Sequence, residues 1–143
     1  MRTTNQSERH ELMDVMAKYA AGLDDQDFDL YRSCFDENVE VYGFTETPIH
    51  GAENWFAFVK QKLAGYTATQ HMLGPQLARI SGDSAHCRTD VQAIRFLRDL
   101  EATAVILWAT YETDMQRVNG DWKIKNHRIV KRGEHTQNLS GLE

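Results

Sequence analysis

Residues 102–132 read ATAVILWATYETDMQRVNGDWKIKNHRIVKR. Apolar and polar residues alternate on both sides of Asn119-Gly120-Asp121, and Asn-Gly between two alternating runs is a strong short-range sign of a hairpin. The expected strands are 102–118 and 121–132. Upstream, 84–97 and 67–80 alternate in the same way and are separated by "SGDS", so four consecutive strands form an antiparallel meander. The first 65 residues read differently. Leu12, Val15, Met16, Tyr19, Ala20 and Leu23 follow helical spacing and predict a helix over 8–22, with Ser7 as cap, Glu8 in the first turn and Gly22 near the stop. A short second helix is expected over 27–35, capped by Asp27, with Phe28, Tyr31, Cys34 and Phe35 inward. "VEVYGF" predicts a strand over 39–44, and Pro48 confines "TETPIHG" to a loop or an edge strand. Ala52, Trp55, Phe56, Val59 and Leu63 predict a third helix over 51–64, stopped by Gly65. Helices followed by a meander indicate the α+β class. Long strands in one sheet must curve, and three N-terminal helices on the concave side would close a cone over a deep pocket.

The totals fit one domain of 143 residues, with a core at about 8–132 and a C-terminal tail at 133–143. The net charge of −5 argues against nucleic acid, because phosphate binding needs a concentrated basic surface. The densest basic run, "WKIKNHRIVKR", alternates with apolar residues and reads as the solvent face of one strand. No apolar run approaches the roughly 20 residues that span a bilayer, and the N-terminus shows no signal-peptide pattern. The expected location is cytoplasmic. Cys34 and Cys87 belong to no C-x-x-C pair and read as buried, reduced thiols.

Neither a Gly-rich phosphate loop, nor H-E-x-x-H, nor G-x-S-x-G occurs. The six histidines have no regular ligand spacing, so neither metal nor cofactor is expected. What remains is acid–base chemistry. Asp25 reads as a carboxylate capping the joint between two helices. Asp24 directly follows Leu23 and continues the buried side of the first helix, where a carboxylate needs a partner. His71 lies in "TATQHMLGPQ", residues 67–76, on the same side of its strand as Thr69 and Leu73. It is either a satisfied core histidine or a general base oriented by Asp24. Alternation puts Cys87, Thr89, Val91, Ala93 and Arg95 on one face of their strand, and Val105, Leu107, Ala109 and Tyr111 on one face of the next. Trp108, Thr110, Glu112 and Asp114 then face outward, towards a subunit contact, together with His86, Arg88 and Asp90; Asp90 reads as one member of a surface ion pair. His127 has the opposite parity to Trp122 and Ile124, so only a bulge would bring it inside.

The strings "YAAGLDDQDFDLYRSCF", "ATQHMLG" and "NGDWKI" resemble, in order and spacing, the SnoaL-like branch of the nuclear transport factor 2-like superfamily. The scytalone dehydratase-like members are the most similar, over about residues 8–132. The resemblance implies the α+β cone and a catalytic Asp24–His71 dyad. It implies substrate-binding roles for Tyr19 and Tyr42. It also shows departures: a second pocket histidine of scytalone dehydratase is replaced near Arg95, its small polar pair falls at Ala109 and Tyr111, and an arginine of the dehydrochlorinase relatives falls at His127. Arg95, Tyr111 and His127 are therefore further substrate-binding candidates, and scytalone itself is not the expected substrate. The resemblance implies a cofactor-independent lyase of dehydratase type, acting on a small cyclic, polyketide-like or steroid-like molecule. Rival readings are an isomerase or cyclase on the same pocket, or a non-catalytic ligand-binding or assembly domain. Expected partners are a small hydrophobic molecule and further copies of the chain, as a trimer or a dimer, without nucleic acid or membrane.

Overall fold

The computed structural model describes residues 2–142, with side chains from Gln6 to Ser140. The elements are α1 (Arg2–Asp24), α2 (Phe28–Arg32), β1 (Phe35–Tyr42), β2 (Ile49–His50), α3 (Ala52–Leu63), β3 (Tyr66–Ser81), β4 (Ser84–Leu97), β5 (Thr103–Val118), β6 (Asp121–Asn138) and a 3-10 turn, Leu139–Leu142. One curved, unclosed sheet carries the strands in the order β2-β1-β6-β5-β4-β3. All neighbours are antiparallel except β1 and β6. This is the expected α+β cone. The hairpin at Asn119-Gly120 has φ of 53° and 88°, as a tight turn with two left-handed residues requires.

Several boundaries differ from expectation, and β1 runs over 35–42 in place of 39–44. α1 starts at Arg2, so Ser7 lies within the helix and does not cap it. α2 is capped by Asp27, whose Oδ1 accepts from the Leu30 amide at 3.1 Å, but it ends at Arg32. Phe35 instead opens β1, opposite Ile124 of β6. The sheet claims this residue from the expected helix, because its backbone groups find ladder partners there. Residues 133–138, expected in the tail, continue β6, which pairs with β5 as far as Thr103↔Asn138. Glu143, at the end of that tail, lies outside the described residues.

The stripe on α1 is buried, with Leu12, Met16, Tyr19 and Leu23 each at most 6% exposed. Fully burying such a side chain contributes about 1.5–3 kcal/mol. Trp55 of α3 completes the inner layer and donates its Nε1–H to the Tyr31 hydroxyl at 3.1 Å. Cys34 and Cys87 are buried and unpaired, and burial pushes both thiols up to about 11, so they stay protonated. Among the described residues no helix is long and apolar enough to cross a membrane.

Two bulges in β6 shape everything that follows. Asp114 pairs with Asn126 while Met115 pairs with Ile124, leaving Lys125 as an extra residue. Trp108 pairs with Gly133 while Ala109 pairs with Lys131, leaving Arg132 as a second. A bulge inserts one residue and reverses the alternation beyond it. Ile124 and His127 are therefore both 0% exposed despite their opposite parity. Lys131 and Glu134, three residues apart, face the same cavity.

Candidate active site

Between the helices and the concave sheet face lies a cavity of about 400 Å³. That is enough for one small multi-ring molecule. Its walls mix apolar side chains, Phe58, Leu63, Leu107 and Ile129 among them, with polar and charged ones. Tyr19, His71, Arg95 and Tyr111 all line it.

α1 delivers Asp24 at its last residue, and β3 delivers His71 early in its length. His71 Nδ1 is 2.7 Å from Asp24 Oδ1 across a sequence separation of 47. The carboxylate accepts two further bonds, from the His71 amide to Oδ2 at 2.8 Å and from the Thr69 hydroxyl to Oδ1 at 2.9 Å. Partial burial pushes the Asp24 pKa up. The hydrogen bonds from the His71 ring and amide, attraction to that ring and the Thr69 bond outweigh burial, so the net position is below the ordinary value. An ionised carboxylate only accepts, so the proton sits on His71 Nδ1 and the Nε2 lone pair is left free. No group among the described residues bonds Nε2, and the ring is 10% exposed, in the cavity wall. The arrangement can remove a proton from a bound molecule and hold the resulting imidazolium against Asp24.

The cavity floor is aromatic. The Tyr19 hydroxyl lies 2.7 Å from His127 Nε2. Burial holds Tyr19 well above the usual phenol range, with Tyr111 and Tyr31 adding to the effect; burial lifts Tyr111 to about 12. Both hydroxyls are thus neutral donors. Burial lowers His127 to about 3, so the ring is neutral. Its Nδ1 is buried without a hydrogen-bond partner. An orphaned buried N–H is rarer than an orphaned lone pair. The proton therefore sits on Nε2 and is donated to the Tyr19 oxygen, which leaves the Tyr19 O–H for the neighbouring Tyr31 and Tyr111 hydroxyls.

Two expected substrate-binding residues are not in the cavity wall. His127 is 0% exposed and sealed behind Tyr19, Tyr111 and Phe44, with ring centroids 5.2, 5.0 and 5.3 Å away. The Lys125 bulge turns it inward, and the aromatic layer then covers it. Tyr42 faces away from the cavity because Val39 and Val41 take the inner side of β1. Its hydroxyl donates to Glu40, and Arg128 lies 4.8 Å over its ring. On the outer sheet face, Asp90 pairs with Arg88 at 3.4 Å and accepts from Thr110 at 2.7 Å. Thr110 is nevertheless buried, because Arg132, the second bulge residue, folds over it and donates to its oxygen.

Sequence reading missed Lys62, Lys131 and Glu134 as cavity residues. Strand alternation could not find the last two, because a bulge separates them.

The chain is an α+β cone in which Asp24 and His71 are hydrogen-bonded beside an internal cavity. The SnoaL-like domain family matches residues 5–128, and the chain belongs to that family. No curated protein matches the sequence. Among solved structures, one similar to this chain is a candidate scytalone dehydratase from Novosphingobium aromaticivorans DSM 12444. It has a TM-score of 0.86 and 22% identity, over 96% of this chain and 91% of that one. Hexachlorocyclohexane dehydrochlorinase LinA-type3 from Novosphingobium barchaimii LL02 is similar at a TM-score of 0.84 and 16% identity, over 100% and 97% of the two chains. These similarities show a shared fold.

Proposed function

We propose that the chain is a cofactor-independent lyase of dehydratase type. His71 Nε2 takes a proton from a carbon acidified by a neighbouring carbonyl. The C–H electron pair becomes a carbon–carbon double bond as hydroxide leaves the next carbon. The His71 imidazolium returns its proton to that hydroxide, which departs as water. Asp24 holds the ring in the required tautomer and offsets its transient positive charge. The Tyr111 hydroxyl, backed by Tyr19, donates to the carbonyl oxygen as negative charge builds there. His127 is a positioning residue: it donates to the Tyr19 oxygen and so turns the Tyr19 O–H towards the Tyr31 and Tyr111 hydroxyls. Two relatives in fold are described as a candidate dehydratase and a dehydrochlorinase, and both names denote eliminations. The observation that carries the reading is the 2.7 Å contact between Asp24 and His71, whose ring lines the cavity.

The substrate class is a small hydrophobic cyclic molecule, and the chain works as a homo-oligomer joined through its outer sheet face. Trp108 is 40% and Met72 64% exposed on that face. The test is a screen of cyclic hydroxy-ketones for water loss, repeated with Asp24→Asn, His71→Ala and the double variant. Each single change should lower turnover by about 10²- to 10⁴-fold. The double variant should cost little more than the worse single one, because the two residues act as a unit. Rearrangement without water loss would point to an isomerase on the same pocket. Turnover surviving both single changes would end the mechanism.

A further inference from the structure

The chain carries a net charge of −5, yet the charges lining the cavity run the other way. Lys62, Arg95 and Lys131 line it against a single carboxylate, Glu134, on the same wall system as His71. Arg95 comes from β4 with its Cα opposite Thr69, two residues along from Ala93 opposite His71. That spacing is about 7 Å along the strands. Its guanidinium is loosely held. NH2 lies 3.3 Å from Glu134 Oε1 and NH1 lies 3.4 Å from the Tyr66 hydroxyl, both long for charge-assisted bonds. Its Nε is buried with no hydrogen-bond partner. A buried donor on a cation without an acceptor is costly, so a site of this kind is incomplete as it stands. Glu134 is held mainly by Lys131, at 2.8 Å, and is 39% exposed, so it can swing outward with that lysine. The Arg132 bulge is what places Lys131 and Glu134 on this face together.

We propose that the cavity takes a substrate bearing a carboxylate, seated on Arg95 with Lys131 and Lys62 around it, while Glu134 occupies that position in the empty site. A carboxylate matches the planar fork of a guanidinium and would accept from its two terminal nitrogens, whose present bonds are long. The strand spacing then sets the substrate's shape. Its anionic group lies several bonds from the carbon that faces His71, with an apolar ring system between. This deepens the lyase reading by naming a substrate class, and it rests on that reading for the identity of the reacting end.

The test compares binding of 2-naphthoate and its neutral isostere 2-naphthamide by titration calorimetry. The proteins are the wild-type chain, Arg95→Gln, Glu134→Gln and His71→Ala, each first checked for native circular dichroism. The wild type should bind the acid about ten- to a hundredfold more tightly than the amide, as expected for one charged hydrogen-bonding partner. This preference should shrink between about 0.05 and about 0.5 M salt as screening grows. Arg95→Gln should abolish the preference, with the larger loss in acid binding and a smaller one in amide binding, since the amide oxygen also accepts from the guanidinium. Glu134→Gln should tighten acid binding, because it removes the competing carboxylate. His71→Ala should keep the preference. Equal affinity for acid and amide in the wild type, no binding of either, or a preference that survives Arg95→Gln would each overturn the proposal. The lyase reading fails differently: the charge preference would stand while turnover proved indifferent to Asp24 and His71.

Discussion

Replacing His127 by glutamine tests the aromatic floor directly. Glutamine keeps an N–H donor for the Tyr19 oxygen but cannot titrate. In the folded chain burial lowers His127 to about 3, whereas in the unfolded chain it titrates near its ordinary value of 6.5. Between those limits the unfolded chain binds a proton that the folded chain refuses. The stability linked to this group is therefore fully present above about pH 6.5. It falls as pH drops below that value and stops falling below about pH 3. Each pH unit inside the window costs about 1.4 kcal/mol. Acidification from pH 7 to 4.5 should thus remove about 3 kcal/mol through His127 alone, and about 4 kcal/mol by pH 3. Asp24 and Glu134, both held below their ordinary values, lose stability over the acid range as well, in wild type and variant alike. The difference between the two proteins isolates His127. At pH 7 the variant should be less stable, by about 1–3 kcal/mol, because its side chain fits the box less well. At pH 4.5 the gap should close or reverse. Urea unfolding followed by tryptophan fluorescence, at fixed protein concentration and several pH values, gives both curves. Parallel curves would refute the burial of a neutral His127, and with it the tautomer that aims the Tyr19 hydroxyl.

Two further outcomes follow from packing. A Cβ added at Gly22 would lie 2.8 Å from the Tyr31 backbone nitrogen, so Gly22→Ala must push α2 away from α1. It should cost about 1–3 kcal/mol and several degrees of Tm, and an unchanged Tm would contradict the close approach of the two helices. On the outer face, Trp108→Glu should convert a homo-oligomer of 16.5 kDa chains to a monomer by light scattering, and a wild-type monomer at micromolar concentration would reject the assembly.

The features readable from residues alone were those with a local cause. Asn119-Gly120 makes its hairpin because the two residues tolerate left-handed backbone, and the residues around them need not be known. The α1 stripe follows from 3.6-residue periodicity, and Arg95 and Tyr111 reach the cavity because alternation in β4 and β5 runs unbroken up to them. The Asp24–His71 pair was only half readable: each residue stood out locally, but a contact across 47 positions depends on where a helix end meets a strand. Tertiary structure decided the rest. Tyr42 turns outward because Val39 and Val41 claim the core side of β1. Two residues of β6, Lys125 and Arg132, have no residue opposite them in the register with β5, and each reverses the alternation beyond it. The first bulge buries His127 beneath Tyr19, and the second brings Lys131 and Glu134 to the same rim as Arg95. A bulge forms where two strands differ by one residue between shared fixed points, so it is a property of the pair of strands and is written in neither one separately.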